Sequence, residues 1–420
     1  MQMTIAELSS EAWLDGIDGL RALLGAPDNP RLFTPHFLKA SFPKIGGRIF
    51  TLTEGQVVRA VAFAFPRVVG TGHQVGYTFR VHAADPAHPV NVRAFADEAS
   101  AACNGAVMVP YDPDGSHTFH SSVVHQDGAL VFATPGVPDA PAVRRLHQHV
   151  WGSAPDDLYP ADMHSDEFQL GTSLVARHGV DVVAFLFGFY KFKQPLLPQA
   201  WRERYSDGLY VESQVMGVHP FFRRHRAGFL LKKAQAEDAL RRGIRLINWV
   251  VDPLQFGNAL LNFGLLKSIS FECYPNYYTF RNELNHLPAS RFVITWLLDS
   301  WRVQEALTRT GAPTVLDLSR VQTSVGWAND GFADVHLDLS DRLIAIEVPP
   351  EWTSLQRTLP DDAAHWRVAT DRIFARYLGP QLGQYVLTSV GERDSRKYLI
   401  AERVDHELLE QFGLPRTSAA

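Results

Sequence analysis

Residues 218–228 read V-H-P-F-F-R-R-H-R-A-G, so Arg223, Arg224 and Arg226 stand just before Ala227 and Gly228. Three fixed positive charges beside one glycine suit an anion if a helix begins there. The first amides of a helix lack intrahelical acceptors and carry partial positive charge, adding to that of the side chains. A phosphate-bearing ligand is the natural candidate, its oxygens on the amides around Ala227 and Gly228. With no Cβ at position 228, such a group can approach the backbone. Arg226 can act in two ways. Its guanidinium can grip a phosphate in the bidentate manner arginine favours; or, if the turn needs φ > 0, it strains the backbone by about 1–2 kcal/mol. The plain alternative is a solvated basic turn.

The flanks must place this turn. Leu209, Val211, Val215 and Val218 predict a strand, and Pro220 ends it because proline cannot donate to a ladder. Phe229, Ala236 and Leu240 fall at i, i+7 and i+11 and predict a helix. Lys232, Lys233, Glu237, Asp238 and Arg241 take its wet face. The pattern Val218-x-Pro220-x-x-Arg223-x-x-Arg226-x-Gly228 resembles the acyl-CoA pyrophosphate loop of the GNAT acyltransferase superfamily. The resemblance continues through a helix stop and strand at 243–249 into Asp252-Pro253-Leu254-x-x-x-Asn258-Ala259-x-x-Asn262. It covers residues 140–285. This chain departs from the family at Arg226, where the middle loop glycine stands, and at Lys267, where a helix-ending glycine is common. It also has Phe263 near where many relatives carry a tyrosine.

The resemblance implies a thioester donor, acetyl-CoA or another acyl-CoA, and an amine acceptor. Amide formation then needs a held donor, a neutral amine, and stabilisation of the oxyanion and thiolate. Glu212, on the strand entering the loop, is the implied general base; by alternation it shares a face with Gln214, Met216 and Val218. An α-amino group titrates near about 8, so modest help suffices. Glu212 reads equally well as a strand-edge glutamate pointing to water. Asn258 is implied to hydrogen-bond the pantetheine arm, while Asp252-Pro253 also fits turn chemistry and Asn258 a helix cap. With phenylalanine at 263, Tyr278 in the Y-P-N-Y-Y run becomes the candidate acid for the thiolate. Strand packing explains that cluster as well. His147, His149 and His164 have no carboxylate or cysteine at metal spacing and read as surface histidines, so no metal is expected. Neither a nucleophile elbow nor a Walker or dinucleotide fingerprint is present.

Composition bounds the reading. A chain of 420 residues exceeds one ordinary core, and 46% hydrophobic with 20% charged residues is globular. The net charge of −5 argues against a nucleic-acid partner, including transfer from an aminoacyl-tRNA. Cys103 and Cys273 form no CxxC and read as small buried hydrophobes. No basic segment leads into an apolar run at the start, and no apolar stretch reaches membrane length, so a cytoplasmic location is expected.

Along the chain a helix is predicted over 6–24, strands over 47–54, 56–67 and 75–81, a helix over 90–103 and a strand over 106–110. The order returns with helices at 142–150 and 160–168, strands at 174–177, 182–192 and 209–218, a helix at 229–242 and a strand at 244–251. A helix at 256–266 and a strand at 269–280 follow. This is the pattern of a duplicated domain. The first copy has acidic H-A-A-D-P-A-H-P-V-N in place of a basic loop. The fold class expected is α+β: a degenerate GNAT-like domain at 1–135, an acyl-CoA-binding one at 136–285, and a smaller α+β domain at 286–420. The proline-rich stretch 134–141 marks one boundary and 282–290 the other. In the last domain, strands are expected near 292–298, 315–318, 335–339, 343–348, 385–390 and 397–401, with one helix at 362–378. The function implied is an N-acyltransferase acting on an amino acid or small amine. A non-catalytic acyl-CoA-binding scaffold is the rival, favoured by Arg226, Phe263 and Lys267.

Overall fold

The computed structural model describes residues 3–413 apart from 71–73, 116–120, 137, 166, 206–207, 224–225, 279–285 and 310–311. Arg224, the end of the strand expected over 269–280 and much of the boundary expected at 282–290 lie outside the described residues. The chain divides into two compact units, Met1–Lys193 with Gly208–Arg242, and Gln194–Asp207 with Gly243–Ala420.

In the first unit, β1 (Met3–Leu8), β2 (Arg48–Glu54), β3 (Val57–Val69), β4 (Gln74–Ala83) and β5 (Met108–Tyr111) neighbour one another in that order. All pair antiparallel except β4 with β5. β3 shows why the sheet is covered on both faces: Ala60, Ala62 and Ala64 alternate with Val61, Phe63 and Phe65, and all six are buried. The alanine face takes helix α2 (Val92–Ala102) through Phe95, Ala96 and Ala99. The phenylalanine face joins α1 (Ser10–Leu23) in an aromatic core with Phe33, Phe37, Phe42, Phe168 and Phe189. Both helices start on capping side chains, Ser9 accepting from the Ala12 amide at 3.2 Å and Asn91 from that of Ala94 at 3.1 Å. The helix expected over 6–24 therefore begins only at Ser10, because residues 3–8 pair with β2.

The second sheet of this unit runs β6 (Val123–Asp127), β7 (Leu130–Ala133), β8 (Thr172–His178), β9 (Asp181–Phe192), β10 (Leu209–Val218), all antiparallel. Helix α3 (Asp139–Trp151) follows β7, and α4 (Gln199–Tyr205), between β9 and β10 in sequence, belongs to the second unit. After β10 come α5 (Pro220–Arg223) and α6 (Ala227–Arg241), the latter packed across β6 to β10. The helix expected over 160–168 is only the 3-10 turn Ala161–His164, with Gln169 at φ 56° breaking any continuation. The order β1-α1-β2-β3-β4-α2 recurs as β7-α3-β8-β9-β10-α6.

In the second unit β11 (Leu246–Val251) is followed by α7 (Phe256–Ala259), a π-turn over Leu260–Leu265, β12 (Ile269–Tyr278), β13 (Ala289–Leu297) and α8 (Trp301–Thr308). Then come β14 (Leu316–Asp317), β15 (Val325–Trp327), the two-stranded pair β16 (Asn329–Asp330) and β17 (Asp334–Val335), and β18 (Leu343–Val348). Helices α9 (Trp352–Thr358) and α10 (Pro360–Tyr377) precede the hairpin β19 (Tyr385–Arg393)–β20 (Arg396–Arg403) and α11 (His406–Gly413). The main sheet runs β15-β18-β20-β19-β12-β13-β11. Phe374 of α10 packs edge-on against Phe292 of β13, with ring centroids 4.7 Å apart. Trp201 of α4 donates to the Leu409 carbonyl of α11 at 2.8 Å.

Candidate functional site

β10 pairs with β9 from Leu209↔Phe192 to Val218↔Ala184, and the register slips between Ser213 and Val215. Gln214 is thus a bulge residue, and side-chain alternation reverses at it. Ser213 before the bulge, and Met216 and Val218 after it, face α6. A Cβ built on Gly228 would lie 3.7 Å from Val218 Cγ2 and 3.8 Å from Met216 Cε. Glu212 and Gln214 face the other way. Gln214 donates to the Tyr159 hydroxyl at 3.0 Å and to Ser41 Oγ at 3.3 Å. Glu212 therefore does not share a face with Met216 and Val218, because the bulge intervenes.

Nor does Glu212 point into water. Its half-buried carboxylate forms an ion pair with Lys191, whose ammonium also lies 5.5 Å from the Tyr210 ring centroid. Burial lowers the pKa of Lys44, against the pull of the nearby Glu212 charge. The candidate base thus sits among cations.

The turn after β10 is fixed by its backbone. His219 donates its amide to the Val183 carbonyl at 2.9 Å, and Arg223 Nε donates to the Val218 carbonyl at 3.3 Å. Arg226 adopts φ 58°, ψ 15°, left-handed geometry that favours glycine, and its guanidinium carbon lies 4.8 Å from the Phe229 ring centroid. The N-cap residue of α6, Arg226, makes no side-chain capping hydrogen bond, and the opening amides of a helix carry outward positive charge. Ala227 is fully buried, so the turn presents half-buried Gly228 together with exposed Arg223 and half-buried Arg226. Gly228 has ordinary contact distances around a would-be Cβ, so the protein itself would accommodate a methyl group there.

Helix α6 is buried more deeply than its sequence indicates. Lys232 and Asp238, assigned to the wet face, are buried. Lys232 Nζ donates to Ser213 Oγ at 2.9 Å and Gln235 Oε1 at 3.0 Å, and Gln235 Nε2 donates to Thr172 Oγ1 at 2.8 Å. Burial pushes the Lys232 pKa down to about 7. Sequence reasoning missed this network. The signal available was spacing: Lys232 is one turn after Gly228 and shares its inward stripe with Gln235 and Ala239.

His147 and His164 are buried too, not on the surface. Burial drives both to about 4, so they are neutral at physiological pH. His149 is exposed and stacks on His219 at 5.4 Å between centroids. Among the described residues no three His, Cys, Asp or Glu side chains converge as metal ligands would.

In the second unit, Asp252 organises the segment after β11. It accepts the Leu254 amide at 2.9 Å, and Arg291 at 3.3 Å and Arg367 at 2.9 Å hold its carboxylate in a buried cluster. Both the turn reading and a structural charge network apply to it. Asn258 is exposed within α7, whose N-cap is Gln255, so Asn258 does not cap this helix. Phe263 is buried, and Lys267 takes φ 52° with burial lowering its pKa to about 8. Both departures from a glycine, Arg226 and Lys267, keep a glycine-like backbone. Tyr278 pairs with Ala289 through the backbone, and its side chain lies outside the described residues. Tyr274 is exposed and donates to Glu272 at 2.7 Å. Cys103 is buried; Cys273 is half-buried, and burial raises its pKa.

No protein-family model matches the chain, and no curated protein matches it. About 40% of the chain matches solved N-acetyltransferases of the GNAT kind. The diaminobutyrate acetyltransferase EctA of Paenibacillus lautus, solved with its substrate and coenzyme A, is 20% identical over 40% of this chain and 95% of its own, with a TM-score of 0.30. The yncA protein of Salmonella typhimurium, solved with acetyl-CoA, is 14% identical over 44% and 99%, with a TM-score of 0.31. NAA60 of Arabidopsis thaliana, also solved with acetyl-CoA, is 12% identical over 40% and 99%, again at 0.31. Among the described residues no helix is long and apolar enough to cross a membrane.

Proposed function

We propose that the chain binds acyl-CoA at the β10–α6 turn and transfers the acyl group to a small amine, with an amino acid as preferred acceptor. One observation carries this reading. A strand leads through Arg223 and left-handed Arg226 into the helix start at Ala227 and Gly228, an arrangement that concentrates positive charge where a pyrophosphate would sit. Acetyl-CoA is the donor to test first. The repeated element order supports two copies of one arrangement, with only the second carrying a basic turn.

In this reading Glu212 exchanges partners. Its carboxylate holds the Lys191 ammonium, and an acceptor ammonium offers the same charge and the same hydrogen bonds. Glu212 then takes a proton from the bound amine, which attacks the thioester carbonyl and expels the thiolate. The test is release of CoA thiol from acetyl-CoA across a panel of amino acids and polyamines. Glu212→Gln is expected to slow turnover by about 10²–10⁴-fold at unchanged donor affinity. Full turnover in that variant removes Glu212 from the mechanism.

A second reading has its own support. Phe263 offers no hydroxyl, and Glu212 is already paired, as in an acyl-CoA-binding protein without turnover. CoA binding with no thiol release for any amine decides for it.

A further inference from the structure

At the other end of α6, distinct from the basic turn, a cavity of about 60 Å³ is lined by Met163, His164, Gln169, Ser173 and Arg242 among others. Ser173 Oγ lies 2.5 Å from Nδ1 of His164. The imidazole is buried and held edge-on to Phe187, with centroids 5.5 Å apart. Arg242 is itself fixed, its Nε 3.0 Å from Asp238 Oδ2 and its Nη1 donating to the Tyr190 hydroxyl at 3.3 Å. Arg242 is also one of the residues that line the cavity. Asp139, clamped by Arg177, lies close enough for its charge to favour a protonated His164. A hydroxyl, a neutral imidazole to accept its proton, a nearby carboxylate and a fixed cation are the parts of a nucleophilic acyl-transfer site.

We propose that Ser173 is a nucleophile toward small acyl esters and thioesters, with His164 as its base and Arg242 as the cation facing the oxyanion. The small volume of the cavity favours a short acyl group such as acetyl. In the first step Ser173 Oγ bonds to the carbonyl carbon as its proton passes to His164 Nδ1. The bond to the leaving alkoxide or thiolate then breaks, and that group takes the proton back from the imidazolium. Water, activated by the same imidazole, hydrolyses the acyl-serine and returns the site. Because burial holds His164 near 4, the imidazole is available as acceptor at physiological pH but weakly basic, so turnover is slow.

p-Nitrophenyl acetate is the probe. The expected result is release of nitrophenolate with an acetyl group mapped by mass spectrometry to Ser173, and neither in Ser173→Ala. His164→Gln keeps a hydrogen bond to the serine but no base, so acylation should fall by about 10²-fold or more. If that variant folds poorly, exposed Arg242→Gln decides, with a fall of about 10-fold or more expected in acylation of the folded protein. A wild-type protein that is never acetylated at Ser173 overturns the proposal. So does acylation at the wild-type rate in folded His164→Gln, or in Arg242→Gln where the first variant cannot be read. CoA affinity should be the same in all of these variants, so the outcome is independent of the acyl-CoA reading.

Discussion

Arg226 holds a backbone angle that its own side chain disfavours, at φ 58°. Left-handed geometry costs a non-glycine residue about 1–2 kcal/mol, and the contact with Phe229 returns about 0.5–1 kcal/mol. Arg226→Ala loses the contact and keeps the strain, whereas Arg226→Gly loses both. Urea unfolding should therefore rank the glycine variant about 1 kcal/mol above the alanine one; equal stabilities would mean the turn relaxes. For CoA the prediction differs: Arg226→Gly should lose about 1.5–3 kcal/mol of affinity, read by calorimetry, because the guanidinium leaves Phe229 for a phosphate. Lys232 gives a pH prediction. The unfolded chain takes up this proton near 10.5 and the folded chain only near 7, so between those values the unfolded state binds more protons. Stability then rises with pH across that window; the contribution is complete above 10.5 and lost as pH falls to about 7. The difference is on the order of 4–5 kcal/mol. Lys232→Met should flatten this slope, and stability curves that stay parallel from neutral to alkaline pH would rule the argument out.

Strand β10 and the helix after it are where sequence and structure can be compared most closely. β10 and β18 have the bounds their β-branched alternation predicts, and β2–β3 and β19–β20 form antiparallel pairs where adjacent strands are expected. The bulge at Gln214 was not legible, because it is a property of pairing with β9 rather than of the β10 sequence. One slipped residue was enough to put Glu212 on the other face and beside Lys191. β6 and β7 escaped notice because V-V-H-Q-D and L-V-F-A are too short for a period to show. Lys232 escaped because a lysine next to Lys233 reads as solvated, whereas a helix covering a five-stranded sheet buries most of its girth. The glycine-like character of positions 226 and 267 was legible from the loop pattern. At the bulge itself, Gly188 opposes Ser213, and a Cβ there would lie 2.6 Å from the Glu212 carbonyl oxygen. Gly188→Ala should cost about 1–3 kcal/mol in thermal or urea unfolding. A neutral substitution would show that the two strands can part at no cost.

At the scale of the molecule, the first unit carries two sheets with matching element order, and only one of them ends in a basic turn. In the first sheet the corresponding stretch after β4 is acidic and proline-rich, and Asp85 accepts the amide of Ala87 at 2.9 Å, turn chemistry with no charge for an anion. One donor site per chain is therefore expected. The most direct test is titration calorimetry of the full chain with acetyl-CoA and with CoA, repeated on Arg223→Ala. The account predicts one site per chain, a melting temperature that rises with ligand as mass action requires, and weaker binding in the variant by about 1.5–3 kcal/mol. No heat of binding at millimolar acetyl-CoA, or binding unaffected by loss of Arg223, would contradict it.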